Sequence, residues 1–130
     1  MPEPDLARQL LQLAGDDELA ARSLLAATEI ADAIIGFHAQ QAVEKAIKAV
    51  LSQRDVLFPY THDLDGLLEL LRDPGSHHPD ELARVESLTP YGVTVRYGMS
   101  PSSTLDRERA VSWAAAAVRW ARGLIDHASA

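Results

Sequence analysis

The stretch Phe37–Val50, FHAQQAVEKAIKAV, constrains this chain more than any other. At about 100° per residue, Ile35, Ala39, Ala42, Val43, Ala46, Ala49 and Val50 fall on one broad arc of a helix. Such an arc has to be buried against other elements, and its alanines admit a neighbouring helix at close range. Opposite it lie Phe37, Gln41, Glu44, Lys45 and Lys48, with His38 and Gln40 on the boundaries. The spacing predicts a bundle helix from about Asp32 to Gln53.

The flanking sequence supplies partners for that arc. Asp5 to about Glu29 is rich in Ala and Leu, with Leu6, Leu10 and Leu13 at helical intervals, and Pro4 suits a helix start. One long helix is expected there despite Gly15, which costs only about 1 kcal/mol relative to Ala. In RDVLFPYTHD, Pro59 ends any helical run. DLDGLLELLR then predicts a short third helix with Leu64, Leu67, Leu68 and Leu71 inward, capped by Thr61 or Asp63. DPGSHHPD is a loop.

A fourth helix is expected from about Asp80 to Leu88, burying Leu82, Val85 and Leu88. Val93, Thr94 and Val95 have strand character, but no second strand exists to pair with them. The stretch is therefore an ordered loop, or a short turn begun by Thr89 and Pro90. A last helix, Leu105 to His127, sets Trp113, Ala117, Trp120 and Leu124 along one stripe. The sum is an all-α, up-and-down antiparallel bundle of four to five helices, a single domain over residues 1–130.

Composition narrows the function. The chain has 130 residues and no cysteine, which removes disulfides and thiolate metal sites. No apolar run reaches the length of a membrane span, and MPEPDLARQL lacks the apolar core of a signal peptide, so a cytoplasmic protein is expected. A formal net charge of -7 argues against broad binding to nucleic-acid backbone, so any RNA contact has to be a local site. Phosphate-loop, dinucleotide, nucleophile-elbow and zinc-protease signatures are all missing, and no cofactor is implied. The five histidines include no i, i+3 or i, i+4 pair, and no metal site is expected.

Three features remain. The polar stripe of the second helix reads most simply as a solvated back with Glu44–Lys48 as an ordinary i, i+4 pair. Phe37 beside Gln41 and Lys48 points instead to a partner surface or a cleft wall. In YTHDL, the plain reading is a helix start with His62 uninvolved. In VRYG, Arg96 can hold a phosphate bidentately and Tyr97 can stack on a base, or Arg96 simply pairs with a carboxylate.

In order and spacing, FHAQQAVEKAIKAVL, YTHDLDGLLELL and VRYG together resemble the HEPN domain family. The likeness is to a prokaryotic branch with an HAQQA-E-K-KA helix, a T-H-D-L element and an R-Y-P motif, and it covers about Asp5 to Ile125. It implies a five-helix bundle that dimerises through helical faces. It also implies partnership with a minimal nucleotidyltransferase (the MNT type) and a role in nucleotide or RNA binding. Many relatives are metal-independent RNases acting as toxins, which use an Arg and a His with four to six residues between them. Arg96 matches the Arg, but Pro101, Ser102 and Ser103 stand where the His would fall, and Gly98 replaces the proline.

The expectation is thus a non-catalytic HEPN protein binding nucleotide or RNA, in a toxin–antitoxin-like module with a nucleotidyltransferase. Arg96 would be the main phosphate ligand, Lys45 and Lys48 would add positive field, Tyr97 would stack, and His62 would be a further contact. Ile34, Phe37 and Gln41 would lie at a homodimer interface. The alternatives are a structural helical homodimer without a ligand pocket and, third, an RNase with an atypical base.

Overall fold

The computed structural model describes residues 4–71, 79, 82, 85, 87–94 and 105–128. Its elements are α1 (Pro4–Leu24), α2 (Asp32–Gln53), α3 (Leu64–Glu69), α4 (Thr89–Thr94) and α5 (Arg107–Ala128). The all-α bundle expected from the periodicity is what forms. Arg96, Tyr97 and Gly98, and Pro101 to Ser103, lie outside the described residues.

Every residue assigned to the apolar arc of α2 is fully buried, together with Ile47 and Leu51. The side chains of α1 and α5 close over that arc. Contacts at both ends fix the directions. Arg107, at the start of α5, bonds Asp32 at the start of α2 at 2.5 Å, and Gln53 Nε2 donates to the Leu124 carbonyl near the end of α5. The two helices therefore run side by side in the same sense. Arg122, late in α5, lies against Gly15 in the middle of α1.

Helix α1 passes unbroken through Gly15 but stops at Leu24, earlier than Glu29. The connection after it leaves carbonyls that need partners. Arg107 supplies them, donating to the carbonyls of Ala27 and Ile30 while it holds Asp32.

Helix α2 ends before Pro59 is reached. Asp55 adopts a left-handed conformation at φ 58°, a position that usually favours glycine. The Val56 N–H bonds the Leu51 carbonyl, and the Asp55 N–H bonds that of Ser52. These two bonds are a Schellman termination, with Asp55 in the place glycine usually takes.

Two expectations are corrected in the second half. Leu82, Val85 and Leu88 are buried as predicted, but the described residues there are in 3₁₀ geometry and the α-helix begins at Thr89. Pro90 sits in its first turn, where a missing N–H costs nothing. Helix α4 can lie on α2 because two glycines allow it. A Cβ at Gly36 would meet the Tyr91 ring at 2.5 Å, and one at Gly92 would meet the Gln40 amide at 2.5 Å.

On α5 the buried stripe is Ala110, Ala114, Ala117, Ala121 and Ile125, while Trp113, Trp120 and Leu124 only flank it. Small residues face α2 because both helices approach through alanines. The bulky rings fill the edges.

Candidate functional site

The polar side of α2 is not a solvated back. Gln40, Gln41 and Glu44 are buried, with Glu44 only 3% exposed. Leaving such groups unpaired would cost on the order of 1–3 kcal/mol each, so their partners are the first thing to trace.

Glu44 collects three donors. Its Oε1 accepts from Gln40 Nε2 at 2.9 Å and from His62 Nδ1 at 2.8 Å, and its Oε2 accepts from Lys48 Nζ at 3.0 Å. Gln40 also donates to the His62 carbonyl at 3.1 Å and accepts from Gln41 Nε2 at 2.6 Å. Among the described residues no buried side-chain nitrogen or oxygen is left without a partner. A carboxylate oxygen only accepts, so Nδ1 of His62 carries a proton. The imidazole is fixed in orientation, and Nε2 is the nitrogen left to meet anything else.

His62 is thus no bystander at a helix start. Asp63 occupies the N-cap position of α3, but neither it nor Thr61 caps the helix with its side chain. Thr61 Oγ1 accepts from the Asp63 N–H, and the Leu64 N–H is taken by Thr89 Oγ1 at the head of α4. The YTHDL element is therefore tied to α2 through His62 and to α4 through Leu64.

The loop before it brings aromatics to the same place. Lys48 Nζ lies 5.7 Å from the centroid of Phe58 and 5.9 Å from that of Tyr60, within cation–π range. Tyr60 also meets the His62 ring edge-on at 6.1 Å, yet remains 93% exposed.

A second carboxylate cluster lies between α1 and α2. Asp17 accepts from His38 Nδ1 at 3.0 Å and from Lys45 Nζ at 2.7 Å. Phe37 contacts the His38 ring edge-on at 5.5 Å. Asp17 was not singled out by the sequence, because nothing in its surroundings distinguishes it from the neighbouring Asp16 until α1 is laid on α2.

The expected site residues are only partly brought together. Lys48 and His62 share Glu44, while Lys45 belongs to the Asp17 cluster. Each lysine faces a carboxylate, Lys45 on Asp17 and Lys48 on Glu44. Of the three residues expected at a partner surface, Ile34 is exposed and Phe37 half-buried. Gln41 is buried in the network and donates its amide to Gln40. A separate hollow of ≈ 230 Å³ between α1 and α5, lined by Arg8, Leu11, Gln12, Arg122 and Asp126, contains none of them.

Bundle, buried Gln–Glu–Lys helix and THDL tether together define a class of small helical protein organised around its second helix. The HEPN domain family model matches residues 7–124, and the chain belongs to that family. No curated protein and no solved structure gives a significant match. Among the described residues no helix is long and apolar enough to cross a membrane.

Proposed function

We propose that this HEPN protein binds nucleotide or RNA phosphate in a small pocket without cleaving it. Its partner would be a minimal nucleotidyltransferase in a cytoplasmic, toxin–antitoxin-like module. The observation that carries the binding role is the buried Glu44 network. An ion pair taken out of water adds little stability to a bundle, and apolar residues of similar size would serve the fold as well. Polar groups that break the packing rule in this way are expected at functional sites. Here they hold an imidazole and an ammonium beside an exposed aromatic ring.

Arg96 is the phosphate ligand in this reading. It follows Thr94, the end of α4, by two residues, and α4 is seated on Gln40 through Gly92. Tyr97 beside it offers a second stacking ring. The motif position of the family's catalytic histidine holds Pro101, Ser102 and Ser103, which is why binding is favoured over cleavage. Ile34 and Phe37 supply the homodimer face, and the nucleotidyltransferase partner follows from the branch that the three motifs resemble.

Titration with ATP and with short RNA tests the binding role. Saturable binding that Arg96→Ala abolishes is the expected result, and no binding by the wild-type chain contradicts it. An RNA cleavage assay should show no activity. Cleavage lost in Arg96→Ala would establish an RNase instead.

A second reading, a helical homodimer without a ligand pocket, draws on the pairing of Lys45 and Lys48 with carboxylates. It predicts self-association in sedimentation, weakened by Ile34→Asp, with no ligand effect on either.

A further inference from the structure

The loop between α2 and α3 turns some residues inward and others out. Val56 and Phe58 pack back against the core, while Leu57 and Tyr60 point outward, each 93% exposed. Two features stiffen the outward turn, the left-handed Asp55 that ends α2 and the fixed φ of Pro59. Tyr60 is then held by the Lys48 ammonium near its ring and by the edge of His62. An aromatic ring kept in water and oriented by two side chains is a poor contribution to a core and a good platform.

Its neighbours decide what such a platform takes. Leu57 and Phe58 lend the loop some apolar surface, but the groups against the Tyr60 ring itself are an ammonium and an imidazole, with the Glu44 carboxylate that orients them behind. A ligand with a flat π face and an anionic group one sugar away matches that set.

The geometry points to Tyr60 as the stacking platform for a nucleobase, with the His62 imidazolium donating its Nε2–H to the adjoining phosphate and Glu44, which accepts from Nδ1, as its positioning residue. This rests on the nucleotide-binding reading above and assigns that site its base-recognising half. The ligand is a nucleotide whose base is free to leave its neighbours, either a mononucleotide or a unit of single-stranded RNA. Stacking of this kind tolerates any base, because each has a π face.

The test is calorimetric titration of the full chain with AMP, single-stranded oligo(A) and inorganic phosphate. Four variants are compared: Tyr60→Leu, Tyr60→Phe, His62→Asn and Arg96→Ala. Tyr60→Leu should weaken AMP and oligo(A) about 5- to 150-fold, the range of one lost stack. Tyr60→Phe should bind as the wild type does, and phosphate should be indifferent to both. Asparagine at 62 offers an amide donor where Nδ1 stands and nothing where Nε2 stands. His62→Asn should therefore keep the melting temperature and lose phosphate as well as AMP. AMP binding as tightly as oligo(A) marks a mononucleotide site, and oligo(A) alone marks RNA; either supports the assignment.

Wild-type affinity in Tyr60→Leu, with binding abolished in Arg96→Ala, overturns the platform and leaves the nucleotide-binding reading standing. Tyr60→Leu that binds RNA normally but self-associates less assigns the loop to a protein contact, and overturns it too. Absence of binding by the wild type removes both readings together.

Discussion

Two clusters on α2 are built from the same parts. In each, one carboxylate grips a lysine of α2 with one oxygen and Nδ1 of a histidine with the other: Glu44 with Lys48 and His62, Asp17 with Lys45 and His38. They differ in depth and reach. The side chains of the Glu44 cluster range from 4% to 20% exposed and its histidine arrives from a loop eighteen positions away, whereas those of the Asp17 cluster range from 14% to 30% and join two adjacent helices. The same chemistry thus serves two ends. Near water, the Asp17 cluster fastens α1 to α2. At greater depth, the Glu44 cluster ties the loop imidazole of His62 to α2, beside the exposed ring of Tyr60.

Depth sets the expected energies, and mutation can break the contrast. Glu44→Leu should cost about 3–5 kcal/mol in urea unfolding, because Lys48 is left charged with only 11% of its side chain exposed. Adding Lys48→Met should recover most of that loss, since the pair itself contributes little. A double variant as unstable as the single one would show the network to be a stability device. Gly92→Ala comes next, at about 1–3 kcal/mol, because the new methyl meets an amide already committed to three partners. Asp17→Asn should cost at most about 1 kcal/mol, and less in high salt, as partly exposed ion pairs do. Equal losses for Glu44→Leu and Asp17→Asn would erase the distinction between the clusters.

What was legible follows the same division between local and distant. The apolar arc of α2 and the leucines of the third helix were readable because helical spacing alone selects them. On α5 the tryptophans drew attention by size, but close approach of two helices put alanines at the centre. The helix at 89–94 was hidden behind the β-branched Val93 and Thr94, and its seat depends on two glycines far apart in sequence. Asp55 gave no stop signal, since that position usually carries glycine.

In the site, the Gln40–Glu44 spacing was visible and its burial was not. A solvated stripe and a buried network have the same period, and only the covering loop separates them. His62 was picked out by the THDL resemblance, but its bond to Glu44 is a tertiary contact with no local signature. Tyr60, in the same motif, looked like an ordinary loop residue until Lys48 and His62 were placed around it.

The central claim is that the deep cluster is a ligand site and the shallow one a fastening. Long-range ¹H–¹⁵N spectra of the two imidazoles during AMP titration test it directly. The account predicts that Nδ1 of both rings carries a proton throughout, and that the Nε2 signal of His62 moves saturably to its protonated position while that of His38 stays in place. Equal movement of the two, or movement of His38 alone, would contradict it.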